Sequence, residues 1–293
     1  MTKRRRRALL GYLYISPWLI GFVVFLLGPM VASLWLSFTN YTITATPRFI
    51  GLQNYQYMLG GDPLFWGSVR KTAYFAVTLV VLSLAGSLGC ALLLNTGLRG
   101  ATFYRTAFFI PSLTPIVATA LIWTWILQPT YGPLNQILRS IGLPTPGWLQ
   151  SPTAAIPALV LIRLWVVVGG TQMIVFLAGL QGIPHELYEA ARVDGASRWD
   201  QFLNVTLPLL SPTIFFNLVV GIIGALKVFA LAFVATEGGP AGATWFYILH
   251  LYTTAFANLE LGYASALAWF FFVVVLLLTV FQNRLSKRWV HYG

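Results

Sequence analysis

Seven carboxylates serve this chain of 293 residues, and Glu186, Glu189, Asp194 and Asp200 lie together in one short stretch. The lysines are Lys3, Lys71, Lys227 and Lys287. None follows a glycine, so there is no Walker A phosphate loop and no ATP hydrolysis by that route. His185, His250 and His291 fall outside the long apolar runs without metal-ligand spacing, and no G-x-S-x-G nucleophile elbow occurs. Cys90 is the one cysteine and lies inside an apolar run. That excludes an intrachain disulfide and suits a small packing residue. Catalysis, a metal or a cofactor is therefore not expected of this chain alone. The clustered carboxylates can instead present charge to a partner, or simply to water.

Their spacing describes two short helices on a tight turn. Pro184 suits a helix start, with Glu186 and Glu189 near its positive end. Leu187, Ala190 and Ala191, at i, i+3 and i+4, give a narrow apolar face built mainly from small side chains. Gly195 supplies the left-handed residue that ends a helix sharply, and Ser197 with Asp200 forms a capping box for a second helix leading to Pro208. On this spacing alone, docking and a solvated charged loop both stand. Short capped helices are common.

The elements that carry this knob belong to a membrane. Charged residues make up 9% of the chain, against about 25% in soluble domains. Apolar residues make up 58%, and the mean hydropathy is +0.76. Six apolar runs, roughly 12–38, 72–94, 108–127, 154–180, 207–235 and 262–281, are each long enough to span a bilayer as a helix. The fold class expected is all-α, a polytopic membrane protein of six helices. The first run is longer than a signal-peptide core and is read as a membrane helix. No internal repeat is evident.

The net charge of +11 does not point to nucleic acid, because the basic residues sit at the ends of apolar runs. Six spans place both termini on one side with twelve Lys and Arg: Lys3, Arg4 to Arg7, Arg99, Arg105, Arg192, Arg198, Arg284, Lys287 and Arg288. The other side holds four, Arg48, Arg70, Lys71 and Arg139. The excess predicts cytosolic termini and a cytosolic knob. Trp35, Trp66, Trp148, Trp245 and Trp289 near run ends suit an interfacial belt. Residues 39–71, 128–153 and 236–244 form external loops, connectors or a landing surface for an outside partner.

Glu189-Ala190-Ala191, then Asp194-Gly195-Ala196, then the Thr206-Leu207-Pro208 entry into the next helix resemble the EAA loop of binding-protein-dependent ABC importer permeases. Arg105 to Pro111 resembles that family's cytosolic entry into the third span, and Phe229 with 236–240, 252–256 and 261–266 resemble its carbohydrate-uptake branch, which contains maltose and glycerol-3-phosphate permeases. Glu237 departs from the Thr-Gly-Gly-Gly-Pro usual there. The resemblance implies a multi-pass permease of a bacterial or archaeal plasma membrane. Residues 1–71 would be a basic tail, first helix and external loop, residues 72–285 the transport domain with its coupling loop at 183–206, and 286–293 a cytosolic tail. It further implies a sugar substrate, expected to be an oligosaccharide, with glycerol-3-phosphate as the alternative. The implied partners are a second homologous permease, a cytosolic ATPase dimer and an extracytoplasmic sugar-binding protein. The ATPase-coupling residues would be Glu186, Glu189, Ala190, Ala191, Asp194 and Gly195.

Within the spans, no carboxylate is visible, which argues against a secondary carrier. Trp165, Gln172 and Asn217 are the candidates for lining a sugar pathway, by stacking and amide hydrogen bonds, or for plain helix packing. Lys227 is expected to snorkel to the outer headgroups. Arg163 either lines a cavity open to the outside or pairs with a neighbouring helix.

Overall fold

A computed structural model describes residues 3–96 and 100–290, with side chains from Gly11 onward. Arg99, His291 and the side chains of residues 3–7 lie outside what is described. Among the described residues the chain is helical, with no strand and only two isolated bridges. In chain order the helices are α1 (Gly11–Leu36), α2 (Phe65–Asn95), α3 (Ala101–Leu113), α4 (Ile116–Ile126) and α5 (Pro133–Ser140). Then follow α6 (Ala155–Val167), α7 (Thr171–Gln181), α8 (His185–Val193), α9 (Arg198–Leu209) and α10 (Ser211–Leu226). The chain finishes with α11 (Ala230–Thr236), α12 (Tyr247–Tyr252) and α13 (Leu261–Ser286).

Three helices, α1, α2 and α13, are unbroken and apolar enough to cross a membrane, and three bent pairs bring the spans to six. The six apolar runs thus reappear, but half of them are broken. The pair α3 and α4 meet at 95°, α6 and α7 at 49°, and α9 and α10 at 64°. Each break has a local cause. Pro115 forces Thr114 into an extended conformation, φ −74 and ψ 127, which ends α3. Gly169 sits where an added Cβ would overlap the backbone of Phe108, so the α6–α7 bend wedges directly against α3. Pro208 and Pro212 straddle the joint between α9 and α10, where the backbone cannot keep an unbroken hydrogen-bond ladder.

The second span also begins earlier than its apolar run, at Phe65, so Arg70 and Lys71 lie in helix rather than loop. Lys71 there donates to the Gly242 carbonyl at 2.7 Å. Outside the spans, the segment 128–153 is folded rather than loose. Asn135 is fully buried, donates to the Pro129 and Pro146 carbonyls, and accepts from the Trp148 indole at 2.7 Å. Trp148 is thereby half-buried and packed against an apolar cluster.

Two compact units emerge. One comprises residues 1–63 and 251–274. In it, Asn54 donates to the Ser37 and Thr39 carbonyls, both at 2.8 Å, Trp269 donates to Ser33, and Tyr263 donates to Asp62. The other comprises residues 64–250 and 275–293. There α2 packs along α6, α7 and α10 around two apolar clusters. The second cluster joins Ala91, Leu94, Met173, Phe176, Leu180, Ile183 and Leu210, with Tyr188 packed against it.

Candidate functional site

The knob is built as its residues dictate. Pro184 is the N-cap of α8, with φ −59 and ψ 135, and Glu186 lies in the first turn. Gly195 has φ +80. The Gly195 N–H donates to the Arg192 carbonyl at 3.1 Å, and the Ala196 N–H to the Ala191 carbonyl at 2.9 Å. This pair of bonds is a Schellman closure, which satisfies two carbonyls the helix end would otherwise leave open. Ser197 then caps α9 through a reciprocal box with Asp200. The Ser197 hydroxyl and backbone N–H hold the Asp200 carboxyl below the ordinary carboxylate range.

The knob turns most of itself to solvent. Glu186, Glu189, Ala190, Asp194 and Gly195 are exposed, and Ala191 is half-buried. Glu189 reaches Arg192 at 3.9 Å, with both side chains mostly exposed, so little holds it in place. Leu187 is exposed too, joined by Val193 at 87% and Trp199 at 66%. Those last two apolar side chains were not singled out by sequence pattern, because only burial shows that they lack a cover. One residue anchors the knob: Tyr188 packs on the second apolar cluster, and its hydroxyl lies 3.0 Å from that of Thr206.

A second site lies deeper in the same unit. A cavity of about 420 Å³ opens between α2, α6, α7 and α10, with Ser112 from the end of α3. Gln172 and Asn217, the two predicted amides, both line it, and so does Arg163. Gln172 accepts from Ser87 at 3.0 Å. Asn217 is buried, and its Nδ2 has no partner. Trp165 does not line this cavity. Two residues along a helix turn the side chain by about 200° from Arg163, and the Trp165 ring instead meets Trp123 edge-on at 5.7 Å. Sequence reasoning did not pick Ser83, Ser112, Thr171 or Phe216, which also line the cavity. Hydroxyls at depth in apolar runs were the available signal. Lys227, at the end of α10, is exposed, as snorkelling requires.

Residues 83–291 match the family described as binding-protein-dependent transport system inner membrane component. The chain belongs to that family. It is 42% identical to the probable ABC transporter permease protein YesP of Bacillus subtilis, over 98% of this chain and 94% of that protein. It is 37% identical to the trehalose/maltose transport system permease protein MalF of Thermococcus litoralis, over 96% and 95% respectively. Among solved structures, a chain of a bacterial ABC transporter involved in import of the acidic polysaccharide alginate superposes with TM-score 0.87. That chain is 26% identical, with 98% of each chain covered. The protein is thus an ABC importer permease, a multi-pass inner-membrane transport component. In the permease, the knob and the cavity sit on the same unit, joined by α7.

Proposed function

We propose that the permease forms half of an oligosaccharide pathway, with a second homologous permease supplying the other half. A solute-binding protein delivers the ligand from outside. An ATPase dimer in the cytosol grips the knob at Glu186, Glu189, Ala190, Ala191, Asp194 and Gly195, and both termini lie on that cytosolic side. ATP-driven closure swings the knobs and switches the cavity between its two openings, as a rigid-body change of access.

One observation carries this reading. The capped helix α8 and the sharply turned start of α9 stand mostly exposed at the head of a membrane span, yet are anchored to the core by Tyr188. A solvated loop needs no such footing or such a defined turn. The sugar assignment draws on relatives named for trehalose and maltose, for starch degradation products and for alginate. A cavity lined with two amides and the exposed ring of Phe216 suits a sugar.

The test is reconstitution. The permease should show no ATP hydrolysis alone and should acquire it in a complex with an ATPase subunit, a second permease and a binding protein. Proteoliposomes carrying that complex should then take up labelled oligosaccharides when ATP is enclosed. Hydrolysis by the pure subunit would refute the coupling role. An assembled, ATP-hydrolysing complex that moves no sugar would refute the substrate.

A further inference from the structure

The cavity holds one charged group and no answering charge. Arg163 lies about 12 Å along α6 from its start. Among the described residues it makes no ion pair and no hydrogen bond. No Asp or Glu lines the cavity. A cation at membrane depth without a partner is costly, so such groups face cavities and mark pathways.

The remaining polar groups of the lining supply both donors and acceptors. The Asn217 side chain is only 4% exposed, and its Nδ2 is a donor with no acceptor. Gln172 has its Oε1 occupied by the Ser87 hydroxyl, leaving its Nε2 donor toward the cavity side. The Ser83 and Ser112 hydroxyls already spend their protons on the Val80 and Phe109 carbonyls. The cavity thus offers a planar guanidinium with no counter-charge, beside the Gln172 amide, to whatever enters. A neutral sugar would leave that charge unanswered. An oxyanion would answer it, and a guanidinium fork matches a carboxylate or phosphate through two parallel bonds.

We propose that the permease cavity is built for an anionic carbohydrate, with Arg163 taking the oxyanion and Gln172 a neighbouring oxygen. This rests on the reading of the chain as half of a transport pathway, and it narrows the substrate class of that pathway. The oxyanion can be a uronate carboxylate or a sugar phosphate.

The test uses the assembled transporter in nanodiscs without the binding protein, so that the cavity alone reads the ligand. Assembly, and ATP hydrolysis once the binding protein is added back, are checked first; failure there refutes the pathway reading, not this one. Calorimetric titration then compares two pairs of probes. Digalacturonate is set against its dimethyl ester, and glucose 6-phosphate against glucose, so each pair isolates the charge. At least one acidic member should bind ten-fold or more tightly than its neutral counterpart, and that preference should weaken with added salt. The preferred pair names the oxyanion. Arg163→Gln should bring the two members within about two-fold, and Arg163→Lys should keep part of the preference. Equal affinity in both wild-type pairs, or no binding of either acid, overturns the proposal. So does an acid preference that persists in Arg163→Gln. The wild-type comparison decides even if a variant fails to assemble.

Discussion

Gly195 offers an unusually clean test of the knob. Its φ is +80, and an added Cβ there would meet nothing within 4 Å. Substitutions therefore differ in how well they tolerate a left-handed backbone, with no overlap in the free chain. An L-residue in that region costs about 1–2 kcal/mol, and Asn less because it visits the region readily. Valine is the hardest case, because its branched Cβ is the stiffest. To escape the strain the backbone must give up both Schellman bonds, Gly195 to Arg192 and Ala196 to Ala191, which aim α9 relative to α8. About 1–2 kcal/mol corresponds to a factor of about 5–30 in the population of the native turn. ATPase subunit retained on washed membranes should fall by that factor in Gly195→Val, less in Gly195→Ala, and within about two-fold of wild type in Gly195→Asn, by the same conversion. ATP-driven uptake should follow, while membrane levels stay near normal. Equal behaviour of Val and Asn would refute the claim that turn geometry matters. Equal and severe damage by both would mean that the docked partner needs the bare backbone itself.

Three further outcomes follow from the same geometry. Among the described residues Glu189 makes one ion pair, with Arg192 at the surface, so Glu189→Lys should cost the free permease at most about 1 kcal/mol. If a partner arginine closes on Glu189 in a water-poor cleft, losing one member of that pair costs about 3–5 kcal/mol, seen as lost ATPase retention at normal membrane levels. Tyr188→Phe removes the 3.0 Å contact with Thr206, about 1 kcal/mol for one neutral bond. It should speed amide exchange across α8 and lower uptake per ATP hydrolysed, while ATPase retention persists. In a Cys90→Ala background, Ser197→Cys should label only from the cytosol and Thr46→Cys only from outside. Both positions are exposed, so reversed labelling would overturn the topology rather than report burial.

The knob was legible because its chemistry is local. A cap, a left-handed glycine and a capping box each act within four or five residues, and sequence displays such signals directly. The spans were legible as apolar runs for the same reason. Their breaks were not, because a proline alone does not decide one. Pro17 lies within a continuous helix, whereas Pro115 sits at a 95° corner. What separates them is the neighbouring packing, as where Phe108 occupies the space against Gly169. The cavity was legible only in part. Gln172 and Asn217 stood out as amides at depth, but Trp165 depended on a rotation about α6 that an apolar-all-round helix does not announce.

The same contacts suggest why one unit carries both the knob and the cavity. Helix α7 has Gln172 at its cavity end and Leu180 near its other end, in the cluster against which Tyr188 rests. Between them, Gly179 brings α7 so close to α10 that a Cβ would lie 2.7 Å from the Thr213 hydroxyl. Helix α10 in turn carries Asn217 into the cavity. Close-packed interiors are stiff and pass displacement on rather than absorbing it. A push on α8 therefore has a short packed route through Tyr188 and α7 to Gln172, and across the Gly179 contact to Asn217. On this reading, the two amide residues of the cavity lining stand on the two helices that the knob can move, whereas Arg163 stands on α6 beyond the Gly169 bend. Movement of α7 and α10 against α6 would then separate the amides from the guanidinium, loosening the ligand in the same stroke that reorients the cavity.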